Sequence, residues 1–174
     1  DLDGLGLSDD EFDGGAGIDT LVGTASGDAI ILDGDHENGS ENPTIRDVEV
    51  IDTGAGDDLV DLTSQTHEYG DVTVNAGTGD DTVWTGAGDD EINAGDGNDA
   101  IHDGAGDDVV NAGAGDDVIE GSLGNDTLDG GDGTDLLDLS DADGVTVDLD
   151  AGTAQSDAFG SDTISNIENV TGSA

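Results

Sequence analysis

Between residues 76 and 138 an aliphatic side chain returns at every ninth position, as Val83, Ile92, Ile101, Val110, Ile119, Leu128 and Leu137. That spacing matches neither the 3.6-residue period of a helix nor the two-residue period of a strand, so it marks a repeated unit. The block divides without a gap into AGTGDDTVW, TGAGDDEIN, AGDGNDAIH, DGAGDDVVN, AGAGDDVIE, GSLGNDTLD and GGDGTDLLD. Related copies stand at 53–61 (TGAGDDLVD) and 14–22 (GGAGIDTLV), with a degraded one at 23–31 (GTASGDAII). The sixth position is aspartate in every copy: Asp19, Asp28, Asp58, Asp81, Asp90, Asp99, Asp108, Asp117, Asp126 and Asp135.

Each nonapeptide predicts one turn and one strand. A Gly/Asp-rich segment of six residues reverses the chain, and the next three residues extend with the middle side chain pointing inward. Two successive copies bring the chain back over itself, so strands stack in parallel into two sheets with equivalent turns one coil apart on each edge. Parallel strands need connections that leave the sheet, and here the turns cross from one sheet to the other. The expected fold is therefore all-β, a solenoid of two parallel sheets.

The irregular stretches predict the same architecture with longer turns. The copies that begin at 53 and 76 are five positions further apart than one coil of two copies, which fits a strand at 59–62, an enlarged turn at 63–71 and a returning strand at 72–75. Strands at 30–32 and 48–51 flank a longer turn at 33–47 in the same way. Residues 145–149 alternate as a strand, and DTISNIENV at 162–170 reads as a closing segment. This divides the chain into an acidic N-terminal cap or linker (1–13), irregular coils with enlarged turns (14–75), a regular roll (76–138) and C-terminal capping strands (139–174).

Composition narrows the chemistry. A net charge of −44 with a single cationic side chain excludes nucleic acid binding through a basic face. The chain has 31 glycines but one proline and no cysteine, so neither a proline-rich spacer nor disulfides explain it, and ions or repetition are left as staples. No apolar run approaches the roughly 18 residues of a membrane span. Asp1 reads as the start of an excised module or mature fragment. Stacking at about 4.8 Å sets each position-six carboxylate beside the next, a like-charge column that requires cations between its members. Calcium suits it best, because it takes six to eight oxygen ligands in flexible geometry and glycine turns expose carbonyls beside the carboxylates. Magnesium demands stricter octahedra, and His36, His67 and His102 are too dispersed for zinc or copper.

The repeat G-G-x-G-x-D-x-U-x resembles the nonapeptide of the RTX (repeat-in-toxin) family of secreted bacterial proteins. The resemblance implies a right-handed parallel β-roll with two nonapeptides per coil and calcium between stacked turns. Carried across position by position, it implies that each ion is held by the carbonyls of positions two and four below, those of one and three above, and both position-six carboxylates. On one edge this joins Gly77, Gly79 and Asp81 to Ala94, Asp96 and Asp99; Gly95, Gly97 and Asp99 to Ala112, Ala114 and Asp117; and Gly113, Gly115 and Asp117 to Gly130, Asp132 and Asp135. The opposite edge joins Gly86, Gly88 and Asp90 to Asp103, Ala105 and Asp108, then Gly104, Gly106 and Asp108 to Gly121, Leu123 and Asp126. Across the enlarged turn Gly54, Gly56 and Asp58 meet Ala76, Thr78 and Asp81, which brings the total to about six calcium ions. Asp19 and Asp28 are further candidates. The position-five acids, such as Asp80 and Asp116, read as solvated charge.

Nothing in the chain reads as catalytic. His67-Glu68 and His36-Glu37 do not complete the H-E-x-x-H zinc motif, G-x-S-x-G is absent, and carboxylates are too abundant for pairs to be diagnostic. The opening DLDGLGLSDDE resembles the acidic thrombospondin type 3 calcium repeat, but Leu5 takes a ligand position and Phe12 stands where an EF-hand needs Glu. A capping or linker segment is the favoured reading there. On the outer faces, equivalent residues one coil apart should stack, Trp84 with His102 and Asn93 with Asn111. Thr82, Ala100, Val118 and Leu136 should form a mildly apolar stripe.

The expected function is a calcium-binding structural module of a secreted or cell-surface bacterial protein, an adhesin, filament or surface-layer component that stays extended for type I secretion and folds on meeting calcium outside the cell. The alternative is an accessory folding or secretion module of a secreted enzyme such as a protease, lipase or alginate epimerase. Beyond calcium, the candidate partners are another copy, neighbouring domains of a larger chain, and a glycan or cell-surface partner; neither nucleic acid binding nor membrane insertion is expected.

Overall fold

The computed structural model describes residues 12–31, 45–63, 69–140, 144–156 and 160–172. The N-terminal acidic segment up to residue 11, most of the 33–47 turn and the middle of the 63–71 turn lie outside the described residues. Those described contain strands and turns but no helix.

The strands fall at the places the repeat marks out. The irregular coils hold β1 (Phe12–Asp13), β2 (Thr20–Val22), β3 (Ala29–Ile31), β4 (Ile45–Arg46), β5 (Val50–Ala55) and β6 (Leu59–Asp61). The regular coils hold β7 (Thr73–Thr78), β8 (Thr82–Trp84), β9 (Glu91–Asp96), β10 (Ala100–His102), β11 (Val109–Ala114), β12 (Val118–Glu120), β13 (Thr127–Asp132) and β14 (Leu136–Leu139). The chain closes with β15 (Thr146–Asp148), β16 (Thr153–Ser156), β17 (Gly160–Ser165) and β18 (Asn169–Gly172).

Two sheets carry the roll. One runs β18-β14-β12-β10-β8-β6-β3 and the other β15-β16-β17-β13-β11-β9-β7-β5-β2, while β1 and β4 form a separate two-stranded sheet among the described residues. Within the regular block each strand residue pairs with its equivalent two nonapeptides away, as in Ile101 opposite Val83 and Ile119. The offset is longer where Val60 meets Val83 and longer again where Ile30 meets Val60, so the enlarged turns add chain at the edge and leave the ladder intact. The fold is a parallel β-roll.

The buried residues explain why the period is nine. Leu21, Ile51, Val74, Ile92, Val110, Leu128 and Ile164 form one buried row on the larger sheet, and Ile30, Val60, Val83, Ile101, Ile119 and Leu137 the facing row. The two facing rows make a core two residues thick, to which the larger-sheet strands add Ala76, Ala94 and Ala112. Each row is supported along its length by similar neighbours, an arrangement that a stack can extend coil by coil.

Two features differ from the expectation. In the regular coils β7, β9, β11 and β13 of the larger sheet run six residues, through positions one to three of the next copy, whereas β8, β10 and β12 of the smaller sheet run three. On the larger-sheet side position one is Ala76, Ala94 or Ala112, with Thr53 in β5 and Gly130 in β13, and the residues at this position are buried. The closing strands are also not all parallel: β15, β16 and β17 pair antiparallel. Too few residues join β16 to β17 for a crossover, so that connection is a hairpin. It places β16 and β15 beyond β17, at the end of the larger sheet.

Candidate metal centre

The turns place the position-six aspartates in two columns, one along each edge. Each aspartate accepts the backbone N–H of its counterpart one coil earlier. On the first edge Asp58 donates to Asp81 at 2.7 Å, Asp81 to Asp99 at 2.8 Å, Asp99 to Asp117 at 2.8 Å and Asp117 to Asp135 at 2.9 Å. Asp28 heads this column by donating to Asp58. On the second edge Asp90 donates to Asp108 at 2.7 Å and Asp108 to Asp126 at 3.0 Å.

These bonds use one oxygen of each carboxylate. The Oδ2 atoms of Asp19, Asp58, Asp81, Asp90, Asp99, Asp108, Asp117 and Asp135 are buried and have no hydrogen-bond partner. A buried unpaired carboxylate oxygen is costly, and a file of them adds like-charge repulsion. Burial pushes Asp99 and Asp108 up to about 7 and Asp81 up to about 6, with neighbouring column members adding to the rise and the accepted N–H only partly opposing it. Burial raises Asp90, Asp117, Asp126 and Asp135 as well.

Position five behaves oppositely. Its side chains reach forward along the stack: Asp80 accepts from Asn98 at 2.8 Å, Asn98 from Asp116 at 2.9 Å, and Asp107 from Asn125 at 2.9 Å. Those groups are exposed, and the Asn125 N–H and amide hold Asp107 below the usual carboxylate range. The two carboxylates of a D-D pair therefore face solvent and interior.

Glycine makes the second column of oxygens approachable. At Gly95 φ is +119°, and a methyl group there would collide with the Gly77 carbonyl oxygen. Only a residue without Cβ lets successive turns lie this close with their carbonyls presented. The position-four N–H reaches the position-three carbonyl of the next coil, Gly79 to Asp96 and Gly97 to Ala114 at 2.8 Å, and Gly88 to Ala105 at 3.0 Å. Each such carbonyl keeps a second lone pair. Position-one carbonyls are met differently: Ala76 takes the Thr53 hydroxyl at 2.9 Å and Asp103 the Thr85 hydroxyl at 2.6 Å.

Repeat counting missed several acids that complete the columns. Asp19 donates its N–H to Glu49 at 2.9 Å, Asp126 to Asp162 at 3.2 Å and Asp135 to Glu168 at 2.9 Å. None lies in a nonapeptide frame, although Glu49 follows Asp19 by the same interval that separates Asp28 from Asp58. The second column is broken at Val72, which donates to Asp90 at 2.9 Å but supplies no carboxylate.

Hard oxygen donors, no sulfur, orphaned buried carboxylate oxygens and carbonyls at each turn make a donor set that fits calcium. Residues 70–101 and 102–137 match the RTX calcium-binding nonapeptide repeat, a family described in units of 4 copies. Residues 70–137 are RTX calcium-binding nonapeptide repeats. Neither a curated protein nor a solved structure was found to match the chain.

The RTX match begins six residues before the strict block, inside what the sequence pattern reads as an enlarged turn. Geometry explains this: Asp89 donates to Asp71 at 2.9 Å, so Gly70, Asp71 and Val72 occupy positions four, five and six of an RTX turn whose sixth residue has changed. RTX repeats are calcium-binding structural units and not catalytic ones.

Proposed function

We propose that this chain is a calcium-dependent folding module of a secreted or cell-surface bacterial protein, serving a structural role in an adhesin, filament or surface layer. The observation that carries this reading is the file of buried, unpartnered Oδ2 atoms along both edges. Without cations a core two side chains thick must offset both chain entropy and the repulsion of the columns. With calcium the same columns become interior ligands, and binding supplies folding free energy.

In this reading the ions lie between turns one coil apart, held by paired position-six aspartates (Asp58 to Asp135 on one edge, Asp90 to Asp126 on the other) and by turn carbonyls such as those of Gly77, Gly79 and Asp96. The chain stays expanded where calcium is scarce and folds where it is abundant, which suits export in an extended form.

The test is a calcium titration followed by circular dichroism, with magnesium as control and calorimetry to count ions. Cooperative gain of β signal with calcium and not with magnesium is expected. A full β signal in chelator would overturn the coupling of folding to calcium.

A further inference from the structure

One aspartate of the roll belongs to neither column. Asp103 opens the nonapeptide DGAGDDVVN, at the position filled by Thr85 one coil earlier and Gly121 one coil later. The resemblance assigns only its backbone carbonyl a role, yet that carbonyl takes the Thr85 hydroxyl. Its side chain is fully buried, at 0% exposure, and neither carboxylate oxygen has a partner within hydrogen-bond geometry; burial pushes its carboxyl up, an effect that the nearby Ser122 hydroxyl partly opposes. A buried carboxylate whose oxygens lack partners is costly unless a cation or further donors meet it.

The side chain instead points to the second-edge column. One oxygen each of Asp103, Asp108 and Asp126 lie within 4.8 Å of one another, and among the described residues no other three acidic or imidazole groups come together so closely. Calcium–oxygen distances of about 2.4 Å allow two ligands of one ion to be up to about 4.8 Å apart, so all three oxygens fit a single ion. The next turn departs from the repeat in a way that favours this. Ser122 replaces the usual position-two glycine and sets its hydroxyl 3.5 Å from Asp126 Oδ2, and a side chain at Gly121 would collide with Leu139, which closes the space.

We infer that the Asp103 carboxylate joins Asp108 and Asp126 in a three-carboxylate calcium site on the second edge, one carboxylate more than the repeat alone provides between these turns, and that it is the tightest site of the roll. Affinity of oxygen sites rises with the number of charged ligands and with rigidity, and this site has one more carboxylate than its neighbours. The inference rests on the calcium reading of the roll.

Asp103→Asn keeps the shape and removes the charge, and Asp103→Thr installs the residue that is buried at the same position one coil earlier. Calorimetric calcium titration of the whole chain should lose its tightest class of site in both variants, weakening it at least about tenfold, with the remaining classes unchanged. Crystals of the unaltered chain loaded with terbium should give an anomalous peak within about 2.6 Å of an Asp103 oxygen, a readout that survives if both variants fail to fold. Variant isotherms that superpose on that of the unaltered chain, or a loaded structure with no ion at Asp103, would overturn the inference. An unaltered chain that binds no calcium at all would overturn the calcium reading itself, so the two failures are distinguishable.

Discussion

Asp99 donates its backbone N–H to one oxygen of Asp117 at 2.8 Å, and the other oxygen of Asp117 is buried with no partner. The carboxylate one coil later thus caps the turn before it and offers its second oxygen inward. This division of labour separates the two acids of each D-D pair, and it can be tested directly.

Asp117→Asn retains an acceptor for the Asp99 N–H but removes the interior charge. The calcium midpoint of folding, read by circular dichroism, should rise at least about tenfold. Asp116→Asn should leave it within about twofold, because position five is exposed and Asn98 already occupies it one coil earlier. Equal effects at 116 and 117 would sink the assignment of interior and exterior roles.

The raised column aspartates fix the sign of the pH dependence. Their folded values, about 6 for Asp81 and about 7 for Asp99 and Asp108, lie above the ordinary aspartate value of 3.8, so without metal the folded chain holds more protons than the unfolded one. Stability of the calcium-free roll is therefore greatest below about pH 4 and falls as pH rises toward about 7. Chelated protein should gain β signal on acidification, and calcium affinity should rise with pH over the same interval because ions and protons compete for these oxygens. A chelated chain whose β signal falls on acidification would contradict this.

Ile119 sits in the middle of the smaller-sheet row, fully buried between Ile101 and Leu137. Ile119→Ala should cost about 2–5 kcal/mol in calcium-saturated denaturation, with Cm lowered and the m-value kept.

Gly95→Ala introduces a Cβ at φ +119° against the Gly77 carbonyl. Loss of more than about 1 kcal/mol is expected from the backbone alone, together with a higher calcium midpoint because the turn can no longer approach its neighbour. Unchanged stability would show that the turns are more loosely stacked than described.

Much of this protein could be read from one dimension. The eighth-position aliphatics set the core rows, the sixth-position aspartates set the columns, and the pairing of Ile101 with Val83 and Ile119 follows from two copies per coil. These are local features repeated in order, and in a solenoid each unit meets only its neighbours along the chain, so counting residues nearly gives contact. The coarse sheet order survives even the enlarged coils for the same reason.

What the pattern could not supply depends on where the stack ends or departs from its period. Asp162 and Glu168 join the columns at separations set by how the closing hairpin folds back and not by any repeat. Val72 occupies an aspartate position because the coil geometry places it there. Asp103 offers a carboxylate instead of only a carbonyl because the side chain of a position-one residue in that turn faces the interior. Periodicity specifies which residues stack, but the direction of a side chain, and the company an orphaned oxygen keeps, depend on the close packing of neighbouring turns in three dimensions.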